Sequence, residues 1–397
     1  MEREYLQLKE LERRAKGLNK MDPKRWAFES AKSASAIWLH SPPDAYGYIP
    51  NECYTTIWAS YLGVPDPVMA PYRDFYFGKE GLQVDEFGNN LASASLPGRG
   101  FRVLHNDLQL LVSNMMELGG IQTNRESTNF LSNKMGGKYI DRYNHHLSEA
   151  PNGDPRRAKH CMIPDIMAHN YPAGRTRGDD SGARPNRLPA IFELKTFYFG
   201  TTRFGHNTNA SYSPTDRRAN GVRREYSNKF DTLDRTFAYD FPNIGQPGVR
   251  GPFDRAQDRF FRGGIIPLVA GPNGQLNEDF SKSIATWAGH AAASETGRAI
   301  SPLDNTHRKG GAFPILLQQF RRAIAVTIVR GMAEHKLRRI HYLRPSREAA
   351  RHVAQSNHSD NKYKPSEGGR ASWYNRNTHQ GYGGFRQFLN GHYYTVP

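Results

Sequence analysis

The segment PAIFELKTFYFG at residues 189–200 most constrains the fold, because this apolar run carries two charges in its middle. Short apolar runs bounded by turn residues are typical of buried β-strands. An isolated charge inside such a strand is strongly destabilising unless it is paired. Side chains alternate along a strand, so we expect Glu193 and Lys195 on one face and Leu194 on the other. A chemical role for both charges would explain their position.

A second apolar run, CMIPDIM at residues 161–167, contains Asp165 and is also predicted to be a strand. If the two strands lie side by side, two carboxylates and one ammonium group meet at one point. Asp165 and Glu193 are separated by 27 residues, which is long for a tight hairpin, so the connection must make an excursion. Asp179 and Asp180 of that excursion are left outside the core set. The alternative is a structural ion pair, since such pairs also place charges inside proteins.

Two carboxylates and a lysine are the groups that metal-dependent hydrolysis of a phosphodiester needs. Carboxylate oxygens are ligands that Mg²⁺ prefers, the ion polarises the phosphate and lowers the pKa of a bound water, and a cation offsets the developing negative charge. The sequence therefore predicts Asp165 and Glu193 as ligands of Mg²⁺, with Mn²⁺ as the alternative ion. Lys195 is predicted to act on the attacking water or on the transition state.

The other apolar patterns predict an α/β fold in which helices flank a central mixed β-sheet. A further buried strand is indicated by GGIIPLVAG at residues 263–271. The cleanest amphipathic pattern lies at 219–237, where apolar residues recur at steps of three and four. Helices are predicted at 107–120, at 123–137 as a short second helix, at 219–237, at about 278–293 and at 313–340.

Composition divides the chain into three regions. Residues 1–100 hold a predicted helix at 2–17 and an irregular, aromatic-rich segment, whose rings we expect to pack rather than to stack on nucleobases. Residues 101–345 hold the α/β core. Residues 346–397 are rich in Gly, Asn and Arg with spaced aromatics, a composition typical of a disordered basic tail.

The chain is strongly basic, with 54 Lys and Arg against 38 Asp and Glu and a formal net charge of +16. This balance of charge favours binding to a polyanion, and DNA is the first candidate. The predicted phosphate contacts are the basic residues in and just before the amphipathic helix, namely Arg217, Arg218, Arg223, Arg224 and Lys229.

The compartment is predicted from cysteine content and from apolar segments. Only two cysteines are present, which excludes a disulfide framework and favours a reducing compartment. The first 20 residues lack the apolar core of a signal peptide, and we expect no run to span a bilayer. A soluble intracellular protein without membrane contact, in the nucleus or cytoplasm of a host cell, is therefore expected.

The order of helix, IPDI strand, FELK strand, helix and IIPLVAG strand resembles the PD-(D/E)XK nuclease superfamily, and the resemblance covers about residues 105–340. It implies a restriction-endonuclease-like core that cleaves DNA, usually with Mg²⁺. It also implies a further acid from the first helix, for which Glu117 and Glu126 are the candidates. Glu126 joins the three motif residues in the predicted catalytic set.

Two further segments, 265–293 and 321–340, look like members of this superfamily found beside reverse transcriptases and other mobile-element genes in algae and protists. This similarity implies service to a mobile element or virus. A non-enzymatic nucleic-acid packaging or capsid-type protein is the main alternative, because it explains the charge, the aromatics and the tail without chemistry. An inactive nuclease-like domain that binds DNA is a third interpretation. A homodimer is one option for the assembly.

Overall fold

A computed structural model of the chain describes residues 37–40, 48–62, 64–78, 81–94, 96, 100–132, 134–172, 187–198, 214–246, 248–301 and 311–345. The predicted helix at 2–17, the loop acids Asp179 and Asp180, and the predicted tail at 346–397 lie outside these residues.

Helices make up most of the regular structure. The helices are α1 (Asn51–Leu62), α2 (Asn89–Ser93), α3 (Gly100–Leu118), α4 (Lys138–Ser148), α5 (Pro214–Phe237), α6 (Pro252–Ala256), α7 (Glu278–Ala293), α8 (Glu295–Ile300) and α9 (Ala312–Arg338). The strands are β1 (Phe75–Phe77), β2 (Leu82–Gln83), β3 (Thr123–Arg125), β4 (Ile166–Pro172), β5 (Arg187–Thr196), β6 (Ile265–Ala270) and β7 (Arg344–Pro345). The expected α/β class is confirmed.

The central sheet has four strands in the order β3-β4-β5-β6. Its β3–β4 and β4–β5 pairs are antiparallel, and β6 runs parallel to β5 after a crossover through α5. The predicted central mixed sheet with flanking helices is therefore present. A small antiparallel sheet, β2-β1-β7, joins the N-terminal region to the chain that follows α9.

Both faces of the central sheet are covered. Phe192 and Leu194 of β5 face the larger hydrophobic core, which they share with α3, α7 and α9. Ile191 faces a second core, which includes residues of α4, α5 and α6. A strand buried on both faces needs apolar residues at successive positions, which explains why β5 and β6 stand out in the sequence as continuous apolar runs.

The predicted helices in the core are confirmed for α3, α5, α7 and α9, and α7 has the predicted bounds. The short helix predicted at 123–137 is wrong. Thr123–Arg125 form an edge strand instead, and Thr123 pairs with Ala168 of β4. Thr and Asn have low helix propensity, and pairing with a neighbouring strand outweighs the remaining local preference.

The aromatic-rich region is more regular than expected, because it contains the twelve-residue helix α1. Trp38 is buried and lies edge-on to Trp58 and Tyr61, with ring centroids 5.6 and 5.8 Å away. These rings pack against residues of α9. The prediction that aromatics pack here is confirmed for these three side chains.

Ala312–Tyr342 is, among the described residues, the one segment long and apolar enough to cross a membrane. The expectation that no run has this length and composition is corrected here, and the core helix of a soluble protein can have both. Half of its apolar window is buried inside the protein, and α9 packs against α1, α3 and α7. It is a core helix of the fold, consistent with a soluble protein.

His335, near the end of α9, makes stability depend on pH. Its Nε2 donates to the carbonyl of Ala92 at 3.1 Å. Burial, with a smaller contribution from the nearby Arg339, lowers the pKa of His335 to about 4. The unfolded chain takes up this proton near pH 6.5, so between about pH 6.5 and pH 4 the unfolded state binds more protons and stability falls as the pH falls.

We expect His335→Gln to reduce the acid sensitivity of the fold, because a glutamine can still donate to the carbonyl of Ala92 but takes up no proton. The difference between wild type and variant should grow as the pH falls from about 7 to about 4.5, to at most about 3 kcal/mol. Urea unfolding at several pH values measures it. Parallel pH profiles for the two proteins would show that His335 does not contribute.

Candidate active site

The β4–β5 pair brings the predicted motif residues together. Asp165 lies immediately before β4, rather than within the strand as predicted, and the register places it opposite Glu193 of β5. Its Oδ2 accepts a hydrogen bond from the backbone N–H of Leu194 at 2.6 Å. The carboxylate of Asp165 is thereby held against the backbone of β5 at the residue between Glu193 and Lys195.

Glu193 is only 6% exposed, and each of its carboxylate oxygens has a partner. Oε1 accepts from the ammonium group of Lys195 at 2.5 Å, and Oε2 accepts from the hydroxyl of Tyr226 in α5 at 2.6 Å. These two hydrogen bonds offset the desolvation of the buried carboxylate. The side chain of Lys195 is 31% exposed, so it connects the buried acid with the protein surface.

Tyr226 links the two carboxylates electrostatically. Burial raises the pKa of Tyr226 well above its usual range, and the negative charges of Glu193 and Asp165 raise it further. The hydroxyl therefore stays protonated and acts as a hydrogen-bond donor. The hydrogen bond to Oε2 of Glu193 places this donor beside the buried acid.

Helix α3 adds two side chains that the sequence analysis missed. Nε2 of His105 lies 3.1 Å from Oδ1 of Asp165, and the side-chain amide of Gln109 donates to the backbone carbonyl of the same aspartate. Gln109 is 3% exposed. In the sequence, these two residues are polar positions one helical turn apart, next to the apolar face of the helix. They indicate a functional site only once β4 is known to lie beside them.

The predicted fourth acid receives no support from the contacts of the described residues. The backbone N–H of Glu126 donates to the carbonyl of Asp165 at 3.1 Å, but its carboxylate pairs with Arg156 at 2.7 Å. Glu117, the other candidate, accepts from the hydroxyl of Thr123 at 3.1 Å. Among the described residues, no side-chain hydrogen bond or ion pair joins the carboxylate of Glu126 or of Glu117 to Asp165 or Glu193.

Asp165 and Glu193 fit a hard divalent cation by their chemistry. Mg²⁺ is typically held by one or two carboxylates, with waters and substrate phosphates completing its coordination. Across the described ranges, no group of three or more His, Cys, Asp or Glu side chains has a metal-binding arrangement. An ion at this position would take two carboxylates from the protein and its other ligands from waters and substrate oxygens.

The basic residues predicted to bind phosphate occupy different environments on α5. Arg218 pairs with Glu225 at 2.6 Å, and Arg223 pairs with Asp279 of α7. These two ion pairs tie the arginines to neighbouring acids. Arg217, at the start of the helix, is half-buried.

Arg224 and Lys229 are exposed on α5. The ammonium group of Lys229 lies 4.6 Å from the centre of the Tyr226 ring, whose hydroxyl binds Glu193. Of the predicted phosphate contacts, Lys229 is thus one that the structure connects directly to a residue of the site.

Comparisons with known proteins give no match: no family model, no curated protein and no solved structure is significantly similar to this chain.

Proposed function

We propose that the chain is a metal-dependent endonuclease that hydrolyses phosphodiester bonds in DNA. The observation that supports this proposal is the gathering of Asp165, Glu193 and Lys195 at one end of the central sheet. A protein that only packages DNA has no use for carboxylates gathered at its binding site, because they repel phosphate. The net charge of +16 suits both functions, whereas the acidic pair favours the nuclease.

The topology supports a PD-(D/E)XK-like core. Helix α3 is followed by the antiparallel strands β3, β4 and β5, then by α5 and by β6 parallel to β5. This is the order in which the resemblance places the first helix, the two motif strands, the second helix and the last strand. We further propose that this nuclease serves a mobile element or a virus and acts in the nucleus or cytoplasm of the host cell.

Each residue of the site has a role that follows from its contacts. Asp165 and Glu193 would hold Mg²⁺, or Mn²⁺ in its place. When bound, the ion supplies a Lewis acid that polarises the phosphate and lowers the pKa of a water. Lys195 reaches the surface from Glu193 and can donate to the attacked phosphate, where it stabilises developing negative charge.

Three other basic groups complete the proposed substrate site. Nε2 of His105 lies 3.1 Å from Oδ1 of Asp165, where the imidazole would act as a proton donor or acceptor for the substrate. Lys229 and Arg224 are exposed and can neutralise backbone phosphates. Such contacts strengthen binding to any DNA sequence and carry no base information.

A matched pair of substitutions tests the proposal. We expect Glu193→Gln to lower the rate of Mg²⁺-dependent plasmid cleavage at least about 100-fold, the scale of losing one preorganised catalytic charge. Glu225→Gln makes the same change on the exposed side of α5, where the acid pairs with Arg218, and should cleave like the wild type. Equal cleavage by the two variants would overturn the assignment of Glu193.

A further inference from the structure

We propose that Tyr226 is a positioning residue, whose hydroxyl fixes Glu193 in the orientation that binds the metal ion and thereby sets the affinity of the site for that ion. This inference rests on the proposed function, because it assigns Tyr226 a task in the same site. Sequence periodicity marks Tyr226 only as one of the apolar positions of the amphipathic helix α5.

The geometry gives Tyr226 a fixed position. The residue is 1% exposed, and its ring lies in the second hydrophobic core among residues of α4, α5 and α6. Its hydroxyl is 2.6 Å from Oε2 of Glu193 and 3.4 Å from the carbonyl oxygen of Ile163, two residues before Asp165. A close-packed ring cannot move away without disturbing its neighbours, so the hydroxyl is a rigid donor.

The two partners of Glu193 differ in mobility. Lys195 carries its ammonium group on a flexible stem that is 31% exposed, so it can leave Oε1 when another cation approaches. Tyr226 cannot leave Oε2 in this way because it is buried. The carboxylate therefore has one permanently bound oxygen and one exchangeable oxygen, and the exchangeable one is available to a metal ion.

Removal of the hydroxyl would free Glu193 to rotate. Oε2 would be left buried without its donor, and a carboxylate in that state gains by turning toward solvent or toward Lys195. Groups that hydrogen-bond to metal ligands typically affect metal affinity by 10- to 100-fold. Tyr226 is such a group, because its hydroxyl hydrogen-bonds to Glu193, a proposed metal ligand.

The test measures binding of Mn²⁺ to the full-length chain by titration calorimetry, without DNA and without turnover. We expect Tyr226→Phe to weaken Mn²⁺ binding about 10-fold or more. Tyr143→Phe is the matched control, since Tyr143 is also 1% exposed in the same core and its hydroxyl accepts from the backbone N–H of Met162 at 3.1 Å. It should bind Mn²⁺ like the wild type although it also loses a buried hydrogen bond.

A double-substitution cycle separates positioning from general destabilisation. If Tyr226 acts through Glu193, adding Tyr226→Phe to Glu193→Gln should cause no further loss of Mn²⁺ affinity. Equal affinities of the wild type and Tyr226→Phe would overturn this inference and leave the proposed nuclease intact. A wild-type chain that binds no Mn²⁺ would overturn both.

Discussion

Lys195→Ala is expected to lower the rate of DNA cleavage about 100- to 1,000-fold, because it removes the cation placed to stabilise charge at the attacked phosphate. Binding of DNA should change much less, since one charge among the 54 Lys and Arg residues contributes little to overall attraction. The rate is measured with enzyme in excess over plasmid, and binding is measured by fluorescence anisotropy with EDTA present. Loss of rate with retained binding identifies a group that acts in the transition state.

Lys282→Ala is the control for this experiment. Lys282 is an exposed residue of α7 that pairs with Glu278, and its removal also lowers the net charge by one. We expect it to cleave at the wild-type rate. Equal rates for Lys195→Ala and Lys282→Ala would contradict the assigned role of Lys195.

Lys336→Ala is expected to cause the largest loss of stability, because it breaks a buried ion pair between α9 and the N-terminal region. Lys336 donates to Asp66 at 2.8 Å and to the carbonyl of Phe87 at 2.7 Å. Both side chains of the pair are 1% exposed, and burial lowers the pKa of Lys336 against the opposing effect of Asp66. Leaving one buried charge without its partner typically costs about 3–5 kcal/mol.

Urea unfolding of three variants checks this expectation. Lys336→Ala should unfold at much lower urea than the wild type, whereas Lys138→Ala, which breaks an exposed pair with Asp240, should change the midpoint little. The double variant Asp66→Asn with Lys336→Met should recover much of the loss, because it leaves no charge unpaired. Similar midpoints for Lys336→Ala and Lys138→Ala would show that the pair contributes nothing.

The parts of the fold that the sequence predicts are those in which local pattern and burial agree. Strands β5 and β6 are apolar because both faces of the sheet are covered, and the three-to-four spacing of α5 reflects one face packed on that sheet. Glu193 and Lys195 stand out in β5 because charges are unusual in such a strand. The pairing of Asp165 with this strand follows from the order of the elements.

The remaining features depend on contacts between distant segments. The edge strand β3 contains Thr, Asn and Arg, and only its pairing with β4 makes it a strand. In the sequence, His105 is an ordinary polar residue and Tyr226 an ordinary core residue of its helix. Only the fold places His105 beside the carboxylate of Asp165 and Tyr226 beside that of Glu193. Glu126 is predicted as an additional catalytic acid from its place in the chain. Its carboxylate pairs with Arg156, thirty residues later, a contact that the local sequence does not reveal.

The most direct test of the proposed activity is incubation of the wild-type chain with supercoiled plasmid and with labelled single-stranded DNA, in Mg²⁺ or in EDTA. A metal-dependent endonuclease should convert supercoiled plasmid into nicked or linear products in Mg²⁺ and produce none in EDTA. Tight, salt-sensitive binding without cleavage in either Mg²⁺ or Mn²⁺ would contradict the nuclease and favour a packaging protein or an inactive nuclease-like domain.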